Sequence, residues 1–363
     1  MRNRIKKGIV IFFLATVIAY GIIIFFFLRD VPRNITLSPN VFLITGLLIT
    51  FAATHYFNIL RVHQLAKIFT DTFAFSDSLL FTMGGIFLGL ITPFQSGGIP
   101  LQIYLLSKHN VSPGESTSLL FIRGVQSFIV FVITVPFTIV FFSGLFTGQL
   151  VAGLLRYFLV FYLTVIIVII LLLLFPVYLK SLVERRLKEG KLRSVLLTVI
   201  GEAANFRSGL SRFFTTGKKH MLLSTLWTLI SLYASFSMAY FIVLMMGGKN
   251  NFFLAFHIQM LLTFLLAFVP TPGSSGFAEG GGAVFYSLLI PKTSIIAYVF
   301  IWRTIVSYIP AFLGMISMIA KFKTIYNLPG ENSEGLNADI DIKDSGDSRV
   351  DADEELTCEN NDR

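Results

Sequence analysis

Long apolar runs separated by short polar ones organise the first 320 residues of the chain. Runs at residues 9–28, 41–60, 119–142, 158–178, 221–246 and 295–320 approach or exceed the ~20 residues a helix needs to cross a bilayer. Each predicts a spanning helix. Two further apolar stretches, residues 79–106 and 251–290, are broken in the middle by turn formers: "TPFQSGG" at 92–98 and "PTPGSSGFAE" at 270–279. Proline removes a backbone donor and clashes with the preceding turn, so neither stretch continues as one helix.

Charge decides how these breaks sit. Lys and Arg collect in cytoplasmic loops, and residues 180–220 carry ten of them against three glutamates. That loop and the N-terminal "RNRIKK" are both expected in the cytoplasm, which requires an even number of crossings between them. The helices at 9, 41, 119 and 158 make four; counting 79–106 as a fifth would export the basic loop. Residues 79–106 therefore predict a re-entrant helix pair, and 251–290 a second one entering from the opposite side. Irregular backbone at membrane depth is tolerated where it packs in protein or lines a wet cavity. Within the basic loop, "LRSVLLTVIGEAANFRSGL" suggests an interfacial amphipathic helix. The run at 9–28 is too long for a signal-peptide core and lacks an A-x-A site, so it reads as a retained first helix.

The fold class expected is thus an all-α polytopic membrane protein with about six spanning helices and two re-entrant pairs in an inverted repeat. The repeat is visible in register. Thr92-Pro93 and Thr271-Pro272 lie 179 residues apart, and "SLLFIRGVQSFI" matches "AYVFIWRTIVSYI" with Arg123 and Arg303 180 apart and Ser127 and Ser307 in step. The domain reading is a membrane-embedded region over residues 1–325, with halves of about 41–142 and 221–320, followed by an acidic tail at 326–363.

Composition agrees: 55% of residues are hydrophobic and mean hydropathy is +0.76. The formal charge of +9 combines −9 in residues 331–363 with +18 in residues 1–330. The tail has no aromatic residue and few apolar ones, and predicts a disordered, solubilising cytoplasmic end. A single cysteine, Cys358, excludes an intramolecular disulfide and thiol-rich metal sites, and the five histidines lack metal-ligand spacing. No Walker loop, nucleophile elbow or paired-carboxylate site is present.

Several residues are candidates for binding. Glu279 is the acidic residue set within membrane-embedded sequence, where an ionisable group is by default a functional candidate; the alternative is a surface cap on the helix that follows it. Arg123 and Arg303 sit several residues inside their helices. Their guanidinium forks suit a phosphate, or else they snorkel or pair structurally. The breaks supply free backbone groups and close approach: Thr92, Gln95, Ser96, Gly97 and Gly98 in the first, Thr271, Gly273, Ser274, Ser275 and Gly276 in the second. A half-helix after each break would aim its N–H groups at an anion; the plainer reading is tight turns that let helices pack. Arg61 reads as a topology-setting charge at a cytoplasmic helix end, and "GIFLG" at 85–89 as a packing motif.

The "PTPGSSGFAE" stretch, the earlier "TPFQSGG" and the helices bearing Arg123 and Arg303 resemble the lysylphosphatidylglycerol synthase transmembrane-region family, also called flippase-like integral membrane proteins. The resemblance covers roughly residues 5–325. In bifunctional members such a region precedes a large soluble aminoacyl-tRNA-dependent synthase domain, and the 43 residues after Ala320 are too few for one. The resemblance therefore implies lipid translocation without the enzyme, in the cell membrane, with both termini cytoplasmic. The substrate expected is an anionic, aminoacylated or polyprenyl-linked lipid, with no cofactor and no nucleic acid. The alternatives are a membrane-embedded transferase, with a separately encoded soluble enzyme as partner, and an accessory scaffold.

Overall fold

The computed structural model describes residues 40–141 and 191–326, with isolated helical positions at 153, 160 and 164 between them. The described residues are helical, with no strand among them. Helix α1 spans Val41–Ala66, α2 Phe75–Leu90, α3 Gly98–Ser107, α4 Pro113–Phe141, α5 Lys191–Phe214, α6 Lys218–Met245, α7 Phe252–Leu266 and α8 Phe277–Tyr286. Helix α9, Ile295–Arg303, runs through a π turn at Thr304–Tyr308 into α10, Ile309–Tyr326. The chain divides into two compact units, Met1–Met318 and Ile319–Arg363, and the second is described only as far as Tyr326, as helix.

Four stretches are long and apolar enough to cross a membrane: Val41–Ala66, Pro113–Thr138, Lys218–Met245 and Lys292–Lys321. They match four of the six predicted spans; the runs at 9–28 and 158–178 lie outside the described residues, as does the acidic tail. Capping sets where the helices begin. Asn40 accepts from the Phe42 N–H at 3.2 Å and Asn251 from the Leu254 N–H at 3.0 Å, satisfying donors that the first turn leaves open. Helix α4 begins six residues before its apolar run because Ser112 and Glu115 form a reciprocal capping box around Pro113.

The two interrupted stretches form the expected helix–break–helix pairs, α2–α3 and α7–α8. Their helices have 16, 10, 15 and 10 residues. At 1.5 Å per residue the longest reaches only ~24 Å, short of the ~30 Å hydrocarbon core. In the first pair, a Cβ on Gly98 would lie 2.7 Å from the Gly85 carbonyl oxygen, so α2 and α3 meet backbone to backbone. The packing role of the "GIFLG" motif is thereby visible at Gly85.

The apolar interior of the described residues divides into three clusters. One cluster gathers Val62, Leu65, Phe81, Leu106 and Leu119 from α1 to α4; another gathers Met238, Leu262, Tyr286, Tyr298 and Trp302 from α6 to α9. A third, with Val135, Phe236, Phe256 and Phe264, joins α4 to α6 and α7. Outward faces are also apolar: Phe42, Leu48, Ile133 and Leu222 are all more than 60% exposed, as a lipid-facing surface requires. Helix α5, within the basic loop, packs on α4, where Arg212 pairs with Glu115 at 3.0 Å and Glu202 accepts the Gly114 N–H at 2.6 Å.

Candidate functional site

The two breaks open alike and then diverge: Ser96 and Gly97 are right-handed helical, whereas Ser275 is extended and Gly276 has φ 88°. Thr92 and Thr271 are extended, with ψ of 149° and 148°, and the following proline opens a short 3-10 turn. The next two residues are left-handed in each: Phe94 and Gln95 at φ 53° and 54°, Gly273 and Ser274 at φ 57° and 56°. Each member of the second pair stands 179 residues after its counterpart, and so do both ends of α8 relative to α3. The left-handed region suits glycine and disfavours a side chain as large as phenylalanine. Local hydrogen bonds hold it: Thr92 Oγ1 donates to the Leu88 carbonyl and accepts the Gly97 N–H, both at 2.8 Å, and Ser274 Oγ donates to the Leu266 carbonyl at 2.8 Å. The turns touch each other, with Gln95 Nε2 donating to Ser274 Oγ at 3.3 Å.

Past the second turn, Gly276 at φ 88° starts α8, and Glu279 reaches back to accept its N–H through Oε2 at 2.7 Å. The other carboxylate oxygen, Oε1, accepts from Arg303 Nε at 3.0 Å. Arg303 also donates to Ser307 Oγ and to the Gly273 carbonyl, each at 3.0 Å. Glu279 is 0% and Arg303 3% exposed. A buried pair is tolerated when its remaining donors and acceptors are satisfied, and this one ties the turn, α8 and α9 together. The π turn begins at the next residue, Thr304.

The first half lacks the acid. Position 100, which corresponds to Glu279, is Pro100. Among the described residues, no side chain accepts a hydrogen bond from the Arg123 guanidinium, which lies over the Phe81 ring, 5.7 Å from its centroid. Behind it, Arg61 is 4% exposed. It donates to Gln126 Oε1 at 3.3 Å and to the Arg123 carbonyl oxygen. Gln126 in turn donates to Ser224 and Thr225 of α6, at 2.6 and 3.0 Å.

Between the halves lies a cavity of about 430 Å³ whose wall includes Arg123, Arg303, Gln95, Gln102, Gln259 and Ser274. That size falls within the ~300–1,000 Å³ of small-ligand sites. Among the described residues, Thr82 Oγ1 and Trp302 Nε1, both on wall residues, have no hydrogen-bond partner; both atoms are closed to solvent. Such groups are uncommon in folded proteins.

The family model described as lysylphosphatidylglycerol synthase TM region matches residues 10–314. The chain belongs to that family. It is similar to a UPF0104 membrane protein of Archaeoglobus fulgidus, with 27% identity over 264 residues covering 71% of this chain and 80% of the relative. No solved structure matches it.

In this family member the candidate residues separate into groups. Gln95, Gly98, Arg123, Gly273, Ser274 and Arg303 line the cavity. Thr92, Thr271 and Gly97 shape the turns: Thr271 Oγ1 donates to the Ser275 carbonyl at 2.9 Å, and a Cβ on Gly97 would strike Thr92. Ser96 is exposed and donates to the Pro93 carbonyl at 2.9 Å, whereas Ser275 is buried in its turn. Glu279 and Gly276 stand behind the wall. Arg61, read from sequence as a topology-setting charge, is instead buried against Arg123 and Gln126. The wall residues missed by sequence reasoning include Thr82, Gln102, Gln259, Thr263 and Trp302; the signal for the first four was a polar side chain within an apolar helix.

Proposed function

We propose that the protein is a lipid translocase of the cell membrane, moving an anionic phospholipid, an aminoacylated one such as lysylphosphatidylglycerol, or a polyprenyl-linked lipid between leaflets. The observation that carries this reading is the cavity where the two interrupted pairs meet, lined by Arg123, which has no carboxylate partner among the described residues. The lipid phosphate docks on the Arg123 fork, and acyl or prenyl chains stay in the bilayer. Arg303, committed to Glu279, Ser307 and the Gly273 carbonyl, frames the site. The shared opening of the two turns and their 179-residue register support two halves of opposite topology rocking about the shared cavity, with both termini and the α5 loop in the cytoplasm. Family membership supports a lipid-related role.

The test is reconstitution. The purified chain in liposomes should equilibrate fluorescently labelled lipid between leaflets, read by quenching from outside. An Arg123→Gln protein should fail to do so at equal incorporation. Wild-type vesicles indistinguishable from empty ones, across anionic, aminoacylated and polyprenyl-linked lipids, would remove this reading.

A further inference from the structure

We infer that Gly124 in α4 and the π turn after α9 are paired hinges, which position Arg123 and Arg303 as the two halves move. The inference rests on the translocase reading only for lipid being what that motion carries.

Each arginine-bearing helix begins in its own half and ends against the other. Leu119 and Ile122 of α4 pack with Val62, Leu65 and Phe81 of α1 and α2. Later in the same helix, Phe128, Phe131 and Val135 pack with Phe236, Phe256 and Phe264 of α6 and α7. The second half reverses this. Tyr298, Val299 and Trp302 of α9 pack with Met238, Leu262 and Tyr286 of α6 to α8. Beyond the π turn, a Cβ on Gly314 of α10 would strike the Met83 carbonyl of α2, and Met318 packs with the cluster around Leu65 and Phe81. When one half shifts against the other, both helices must bend between their two anchorages.

The chain places a weak point at the same position in each. Arg123 and Arg303 are 180 residues apart, so Gly124 corresponds to Thr304, the first residue of the π turn. Such turns are rare, recur at functional sites and are among the few causes of sharp helix kinks. Glycine is the poorest helix former after proline, and packing does not call for it here. Gly124 is exposed, and an added Cβ would meet nothing within 4 Å. Its contribution is backbone freedom, which a hinge uses to absorb a change in dihedral angles.

Hydrogen bonds divide at the same point. Arg61 of α1 holds the Arg123 carbonyl just before the glycine, and Gln126 just after it donates to Ser224 and Thr225 of α6 at 2.6 and 3.0 Å. The bond that spans the hinge, from Arg61 Nε to Gln126 Oε1, is longer at 3.3 Å. In the second half, Arg303 is fixed to Glu279 and the Gly273 carbonyl ahead of the π turn, and its bond to Ser307 reaches into that turn. Each arginine thus travels with its own half, and bending changes their spacing across the cavity that both line.

The test uses the purified full chain and follows lipid exchange in liposomes, calorimetric binding of dioctanoyl phosphatidylglycerol, and a distance between the halves. The distance is read between spin labels at Tyr104→Cys on α3 and Val284→Cys on α8, residues 47% and 60% exposed, in a Cys358→Ser background. Gly124→Ala should slow exchange about fivefold, the preference of one helical position for alanine over glycine. It should also narrow the distance distribution and leave binding unchanged. Gly201→Ala, at an equally uncrowded glycine of α5, should alter none of the three. Wild-type exchange and distances in Gly124→Ala, weaker binding with unchanged distances, or equal slowing by Gly201→Ala would each overturn the inference and leave the translocase reading in place. A distribution that narrows in Gly124→Ala although even the wild-type protein exchanges no lipid would uphold the hinges and remove lipid transport as their purpose.

Discussion

Gln95 donates a hydrogen bond to Ser274 across 179 residues of chain, and each occupies the second left-handed position of its turn. The tips of the two helix pairs are therefore in contact. If transport requires one half to move against the other, a tether between these positions should stop it. In a Cys358→Ser background, Gln95→Cys with Ser274→Cys should react with a short reducible thiol cross-linker, and lipid exchange should fall with cross-linking and return on reduction. Unchanged exchange by the fully cross-linked protein would show that the tips do not part.

Glu279 and Arg303 should behave as one unit. Removing one partner of a buried pair leaves an uncompensated charge and costs about 3–5 kcal/mol. Glu279→Gln should therefore lower the thermal unfolding midpoint sharply. Glu279→Gln combined with Arg303→Gln should recover most of that loss. A single substitution that leaves the midpoint unmoved would mean that the pair bears little of the fold.

Arg123 should show the opposite pattern. Its guanidinium makes no hydrogen bond within the described protein, so Arg123→Gln should change the unfolding midpoint little. A lost charge-assisted contact to phosphate is worth about 1.5–3 kcal/mol, or roughly tenfold to hundredfold in affinity. Arg123→Lys should rescue exchange poorly, because an ammonium does not reproduce the planar fork. Full exchange by the lysine protein would assign Arg123 to membrane anchoring.

Two glycines should respond in opposite directions. At Gly98 an added Cβ would lie 2.7 Å from a backbone oxygen of α2, and overpacking of this kind costs about 1–3 kcal/mol. At Gly280, inside α8, nothing lies within 4 Å of an added Cβ, and alanine favours a helix over glycine by about 1 kcal/mol. Gly98→Ala should lower the unfolding midpoint in detergent and Gly280→Ala should raise it. The same sign for both would contradict the backbone contact between α2 and α3.

Orientation has a direct measurement. Ser208 and Lys292 are both exposed and are placed on opposite sides of the membrane by the charge-based topology. In a Cys358→Ser background, Lys292→Cys should react with an impermeant thiol reagent on intact cells, and Ser208→Cys only after lysis. Labelling of Ser208→Cys on intact cells would invert the arrangement.

Much of the architecture was legible in sequence because its signals are of the kind that survive without an alignment. Span length set α1, α4, α6 and the helix through Arg303, and a proline beside glycine or serine marked each break. Helix starts were less legible: the α4 cap, Ser112 to Glu115, is a readable S-x-x-E box that the apolar run at 119 overshadowed. Sequence singled out Arg123 and Arg303 as a symmetric pair, yet their surroundings differ through one position, where Pro100 stands opposite Glu279. Arg61 was obscured because a basic residue near a helix end commonly lies in the interface, and only packing against α4 and α6 reveals its burial. Trp302 was not distinguishable from a core residue, because its ring packs in the apolar cluster of the second half while its edge lines the cavity.

The left-handed pair in each break has a consequence for inhibitor chemistry. The second turn accommodates this backbone with Gly273, and the first forces it on Phe94, whose ring is 61% exposed. The two faces of the meeting point thus offer different handholds to a small molecule: an aromatic surface on one side and bare backbone on the other. A flat ring that stacks on Phe94 would engage only the first half. It would discriminate between two turns that open on the same left-handed pair and part at the next residue.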